Sequence, residues 1–341
     1  LALQGANDQA EDADSIIWNM TTSSEQTNVA VSIVTWNSAG EIRDCLTPLA
    51  GLPTNWQVWV VDNNSSDDTV EIVKEEFPFV NRIANPDNRG FAEANNQVIR
   101  QTDTDFVLLL NPDTEADVSG LQRSLEIINE RPEIGMLGVR LCHEDGSLQE
   151  TCFPFPTPWK NLVEAFSLYR IYSKERTSEL FANDFFEHDR AREVDWIKGA
   201  FMLVRRSAID KAGALPEDYF MFAEDMDWCW QLRQSGYRIW FSPDVLVKHK
   251  SNKSAGQMPS IWRMERTLLS KYLFCFKNFG GLSGRFIQLS DLFGVSYKIL
   301  RNRVGRTRPK EIAVWRMARK VIAVSIFTSR REIVAKLKER Q

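Results

Sequence analysis

The sequence predicts an α/β fold, with a mostly parallel central sheet flanked by helices and a helical C-terminal extension. Three observations carry this. Short β-branched runs alternate with helical stretches between Val29 and Glu130. The runs are near-continuously apolar, as strands covered on both faces are. Beyond about residue 256 the pattern turns helical and strongly basic.

Val29–Thr35 reads as the first strand, followed by a helix from 41 to 50. Gln57–Asp62 is the second strand. The helix from 68 to 77 follows it, with Ser66 or Asp67 as its cap. Residues 79–84 form a third strand and Gly90–Gln101 a helix; 105–110 form a fourth strand and 118–130 a helix. Prolines at 154, 156 and 158 then interrupt the chain. Asp195–Arg205 reads as a further strand leading into a helix capped by Ser207. Residues 224–235 read as a helix, and 237–241 and 245–249 as two short strands.

Right-handed crossovers bring the carboxyl ends of parallel strands to one rim, where open α/β sheets bind ligands. Four polar loops should meet there: Thr35-Trp36-Asn37, Asp62 to Asp67, Asn85 to Gly90 and Asn111 to Thr114. One such cluster is ordinarily a turn; four on one edge make a site.

Composition narrows the class. The chain has 341 residues, 43% hydrophobic and 26% charged, enough for a substantial core. No apolar run reaches the ~18 residues that a spanning helix needs, and the first residues lack a secretory pattern. Residues 1–27 read as a flexible, polar, acidic tail. Five cysteines without CxxC spacing read as reduced thiols of a cytoplasmic protein. From Lys298 onward fourteen Lys and Arg face three Asp and Glu, an excess of +11 that leaves −15 on the remainder. Such a tail implies an anionic partner, a membrane surface or nucleic acid. No nucleic-acid module is present, so none is expected as partner. Apolar residues of 312–327, including Trp315, Val321, Ile322 and Ile326, mix with Arg316, Arg319 and Lys320. That suits a helix lying on an anionic membrane, and equally one packed on the body of the protein.

No Gly-x-Gly-x-x-Gly, Gly-Lys-Ser/Thr or Gly-x-Ser-x-Gly element occurs. Bound phosphates would therefore need a metal ion. Asp113 directly follows a buried strand, and a hard divalent ion takes one or two carboxylates plus substrate phosphates. A turn reading of Asn111-Pro112-Asp113 stands equally on these residues alone. Glu224, Asp225 and Asp227 begin a helix among aromatic neighbours, a setting that raises a carboxyl pKa toward that of a general base. His249 ends an apolar strand and offers an imidazole to a metal or phosphate.

Taken together, six segments in order resemble glycosyltransferase family 2, the inverting nucleotide-sugar transferases with a GT-A fold, and within it bacterial rhamnosyltransferases of O-antigen and cell-wall glycan synthesis. They are Val31 to Asn37, Val60 to Thr69, Asn88 to Asn96, Leu110 to Asp113, Gly199 to Arg206 and Glu224 to Trp228. The resemblance implies a catalytic domain over 28–255, with a nucleotide-binding half (28–115) and an acceptor-side half (116–255), then a helical region over 256–341. It implies that Thr35, Trp36, Asn37, Asp62, Asn88, Arg89, Gly90, Asn95 and Asn111 lie at the nucleotide sugar. Gly199, Ala200 and Trp228 fall on the acceptor side. Asp225 becomes the base, supported by Glu224, and Asp113 with His249 holds Mg²⁺ or Mn²⁺. The implied donor is dTDP-rhamnose, with another nucleotide sugar as the alternative. The implied acceptor is a saccharide or lipid-linked saccharide, and the implied location is cytoplasmic, peripheral on the inner face of the membrane. Asn111 stands where many members carry aspartate; it removes a charge beside the ion. It is also what favours the competing reading, a nucleotide-sugar-binding protein without transferase activity.

Overall fold

A computed structural model of the chain describes residues 27–181, 186–250, 259–304 and 309–339. The acidic tail expected over 1–27 lies almost wholly outside the described residues.

The first half follows the expected alternation. β1 (Val29–Thr35), α1 (Ile42–Leu49), β2 (Trp56–Asp62), α2 (Thr69–Glu76), β3 (Asn81–Ala84), α3 (Gly90–Gln101) and β4 (Phe106–Leu110) come in that order. β1 pairs in parallel with β2 and β4, and β2 with β3. Asp68, rather than Ser66 or Asp67, stands at the N-cap of α2. Asp67 instead ties the loop, accepting from Ala39 N at 3.0 Å and from the Thr69 hydroxyl at 2.5 Å.

The second half departs from the simple parallel picture. β5 (Thr114–Glu115) and α4 (Val118–Asn129) lead into β6 (Ile134–Cys142), a long central strand that the sequence reading does not place. Two glycines hide it. A Cβ on Gly138 would come within 2.6 Å of Ile197 Cδ1, and one on Gly135 within 2.6 Å of the Tyr237 side chain. Both are therefore demanded by packing, although glycine reads as a strand breaker. Short strands β7 (Leu148–Gln149) and β8 (Cys152–Phe153) follow, then α5 (Pro158–Ala165) and α6 (Lys174–Phe181). The stretch expected as one strand from Asp195 splits into β10 (Trp196–Ile197) and β11 (Phe201–Arg205); β9 (Arg192–Glu193) precedes it. Ser207 lies inside α7 (Arg206–Ala212) and does not cap it. After α8 (Glu224–Gln234), the two short strands expected over 237–249 are one, β12 (Arg238–His249), irregular between Ser242 and Leu246.

The large sheet runs β3-β2-β1-β4-β11-β6-β12-β5. β11 is antiparallel to both β4 and β6. That reversal matters for function: the start of β11 lies beside the end of β4, with Phe201 opposite Leu110.

Helices α9 (Ser260–Asn278), α10 (Gly280–Val304), α11 (Pro309–Ile326) and α12 (Arg330–Lys338) close the chain. Leu269, Tyr272, Leu273 and Phe274 of α9 join the apolar core formed by Met202, Trp228 and Phe241. A buried polar anchor fixes them. Asp227 accepts from Lys277 Nζ at 2.6 Å, Asn278 Nδ2 at 3.0 Å and the Tyr219 hydroxyl at 3.0 Å. Such a satisfied network specifies how α9 docks. Among the described residues, no helix is long and apolar enough to cross a membrane.

Candidate active site

The rim at the ends of β1 and β2 is a web of side-chain bonds. Asp62 accepts from the Thr35 hydroxyl at 2.9 Å, from Ser65 N at 2.8 Å and from the Ser65 hydroxyl at 2.5 Å. Asn37, left-handed at φ 50°, accepts from Ser66 N at 2.8 Å, while its own N–H donates to Ser65 Oγ at 2.8 Å. These contacts join the two loops, and Trp36, within the first, is half-buried. Thr35 and Asp62, with Thr69, Arg82 and Ile83, line a shallow depression at this edge.

The third loop is shaped by Gly90. Its φ is 77°, and a Cβ there would stand 2.2 Å from the Phe220 carbonyl oxygen. Only glycine tolerates both. Its N–H donates to Asn88 Oδ1 at 3.0 Å, and Arg89 lies beside Asp87 and Glu93, at 3.5 and 3.3 Å.

Beyond β4, Asp113 and His249 meet. Both are buried, and His249 Nε2 lies 3.2 Å from Asp113 Oδ1. β12 brings the histidine there, with His249 opposite Thr114 of β5. Asn111 Nδ2 is 3.4 Å from the same ring nitrogen. On its other side, His249 Nδ1 is 2.6 Å from Gln149 Oε1. An amide oxygen there takes an N–H from Nδ1, so Nε2 is the ring atom that faces Asp113. Gln149, on β7, is a functional candidate that no local sequence signal marks.

The acid cluster faces the same rim. Phe222 and Ala223, at φ 74° and 67°, are consecutive left-handed residues just before α8. Non-glycine residues in that region are strained, and such strain gathers at functional sites. The kink delivers Asp225, whose Oδ2 accepts from Gly199 N at 3.1 Å and Oδ1 from Met226 N at 2.8 Å. Burial outweighs these donors and the nearby Lys198, pushing the Asp225 carboxyl up to about 6. Burial, then the Asp225 charge, push Glu224 further, to about 8. Glu224 Oε2 is buried without a hydrogen-bond partner. An unpaired oxygen in such a place fits a protonated, neutral acid.

The turn between β10 and β11 connects the two chemistries. Gly199 N–H holds Asp225, and the Ala200 carbonyl accepts from Asn111 N at 3.1 Å. Lys198 precedes them, half-buried, with Asp225, Glu150 and Asp113 as the negative charges around it; burial lowers its pKa. It lies inside a segment whose apolar pattern reads as strand, which hides its role.

The comparisons with known proteins bear on what such a rim does. Residues 30–192 match the sequence profile of glycosyl transferase family 2. Over this span the chain is similar to that family. An N-acetylglucosaminyl-diphospho-decaprenol L-rhamnosyltransferase of Mycobacterium tuberculosis is 27% identical over 214 residues, covering 60% of this chain and 69% of that one. The low-salt glycan biosynthesis hexosyltransferase Agl10 of Haloferax volcanii is 25% identical over 217 residues, 62% of this chain and 64% of its own. Among solved structures, a Pyrobaculum calidifontis mannosyltransferase in complex with GDP-Man and Mn²⁺ superposes with a TM-score of 0.54 at 16% identity, over 88% of this chain and 87% of that chain. Staphylococcus aureus TarS 1-349 does so at 0.50 and 15% identity, over 91% and 89%. The chain thus has the GT-A fold.

Two of the expected site residues, Trp228 and Asn95, are buried. Trp228 is 0% exposed and donates its indole N–H to the Gly213 carbonyl at 2.9 Å. It is a core residue. Asn95 is likewise buried, accepting from Ser32 Oγ at 2.7 Å and donating to Phe91 O at 2.9 Å. It fixes α3 against β1, behind the site.

Proposed function

We propose that this chain is a family 2 glycosyltransferase that moves a sugar, with inversion, from a nucleoside diphosphate to a glycan or lipid-linked saccharide in cell-surface glycan synthesis. The donor sugar is rhamnose, carried as dTDP-rhamnose. The single observation that carries the reading is the turn Lys198–Ala200, which binds the Asp225 carboxylate at one residue and the Asn111 loop at the next. The relatives support the substrate classes: one named for rhamnose transfer to a decaprenyl-linked acceptor, another for glycan biosynthesis.

In this reading Thr35, Trp36 and Asn37 border the nucleotide, and Asp62 holds their loop in shape. Asp225, ionised above about pH 6, accepts the proton of the acceptor hydroxyl. That oxygen forms its bond to the anomeric carbon as the bond to the diphosphate oxygen breaks on the opposite face. The electron pair leaves on the diphosphate, and Lys198 places positive charge near it. Glu224, kept neutral, adds no repulsion to the site.

Asp113 and His249 fit a divalent metal. Their donor atoms converge, and the Gln149 contact presents Nε2. Among the described residues no third His, Cys, Asp or Glu joins them, so the diphosphate oxygens would complete the shell. A bound Mg²⁺ or Mn²⁺ would supply charge stabilisation to the leaving diphosphate.

A thermal-shift panel of dTDP-, UDP- and GDP-sugars with and without Mn²⁺ tests this reading. The expected result is stabilisation by dTDP-rhamnose above the others, larger with Mn²⁺. Stabilisation by a different nucleotide would replace the donor; none by any nucleotide sugar would remove the proposal.

A further inference from the structure

The C-terminal helices carry an uncovered apolar stripe on a helix that the sequence reading passed over. Along α10, Leu282 is 91% exposed, Phe293 61% and Leu300 63%, and Phe286, Leu289 and Tyr297 are exposed as well. Their spacings of four, three, four, four and three residues keep them on one face. That face is about 27 Å long at 1.5 Å per residue. The opposite face of α10 is the packed one. Gly284 lies against Phe276, Gly294 against the Ala165 backbone, and Asp291 accepts from Tyr272 and Lys271. By contrast, α11, where the sequence suggested a membrane face, turns Ile322 inward at 1% exposure, with Trp315, Val321 and Ile326 half-buried.

Charge identifies the occupant. The exposed residues of α10 with described side chains are Gly, Leu, Phe, Tyr and Arg301, with no acid among them. On the neighbouring α11 the exposed charges are Arg316, Arg319 and Lys320. Arg285 bonds the Ile326 and Thr328 carbonyls, so Phe327, 88% exposed, joins the stripe at its Leu282 end. A two-fold contact with a second copy would set these like charges against one another. An anionic bilayer takes the apolar side chains and the cations together.

We infer that α10, with the end of α11, is a docking surface for an anionic phospholipid bilayer, with Leu282, Phe286, Leu289, Phe293, Leu300 and Phe327 entering the interface. This holds independently of the sugar chemistry, because its readout involves no donor.

The test is flotation of the full chain with phosphatidylglycerol-containing vesicles and with pure phosphatidylcholine vesicles. Wild type should float with the former and much less with the latter. The triple variant Leu282→Ser, Phe293→Ser, Leu300→Ser should lose about tenfold or more in binding, as should Arg316→Glu, Arg319→Glu, Lys320→Glu. Both should keep wild-type thermal transitions, since the side chains are exposed. Wild type that does not float, or a stripe variant that floats equally well, overturns the proposal. So does a lipid-free dimer that the stripe variant converts to monomer, which would assign the surface to a second copy.

Discussion

His249 Nε2 faces Asp113 Oδ1 at 3.2 Å, although 136 positions of chain, roughly, separate them. β12 carries the histidine to the loop that follows β4, and Gln149 Oε1, 2.6 Å from Nδ1, fixes the ring. Replacing this orienting group should weaken the metal without touching it. Gln149→Leu should lower Mn²⁺ affinity about 10- to 100-fold, as loss of a group behind a ligand does. Calorimetry of Mn²⁺ with the nucleoside diphosphate present measures it; His249→Ala should lose more. Unchanged affinity in both variants would remove the histidine from the metal site.

Activity should carry the signature of Asp225. With its carboxyl at about 6, through burial, the ionised base is lost as pH falls below that value. The expected kcat/KM rises about tenfold per pH unit below pH 6 and levels off above it. A profile flat down to pH 5 would exclude a carboxylate of raised pKa as the base.

Glu224 predicts a stability effect of opposite sense. Its folded pKa, about 8, exceeds the ordinary carboxyl value, so between roughly pH 4.5 and 8 the folded state holds a proton that the unfolded state releases. The stability this contributes is present at low pH and is lost as pH rises through 8. Glu224→Gln, which stays neutral, should flatten the fall in Tm between pH 5 and 8.5. Parallel Tm curves for the two proteins would show that Glu224 is ionised in the fold.

Gly90→Ala should disrupt the site locally. The new methyl would meet the Phe220 carbonyl at 2.2 Å with φ at 77°, and a destabilisation of about 1–3 kcal/mol is expected from the strain alone. Trp228→Ala, in the core, should cost about 3–5 kcal/mol. Urea denaturation measures both; a neutral Gly90→Ala would mean that the loop rearranges freely.

The alternating half of the fold was legible because buried parallel strands write continuous apolar runs, as Phe106 to Leu110 does. β6 was not, because Gly135 and Gly138 are chosen by the side chains that pack on them. The site was legible where backbone order fixes position: Asp113 after β4, Asp225 at the start of α8. Contacts made by tertiary folding left no local trace. Gln149 and Lys198 therefore carry no sequence signal, and Trp228 stands near Asp225 in the chain yet lies in the core.

The central claim is that Asp225 takes the acceptor's proton at a nucleotide-sugar site. The most direct measurement is release of nucleoside diphosphate by wild type and Asp225→Asn with donor and acceptor present, alongside donor binding by calorimetry. The variant should bind donor within a fewfold of wild type and turn over about 10²–10⁴ times more slowly. Wild-type turnover by Asp225→Asn would contradict the account.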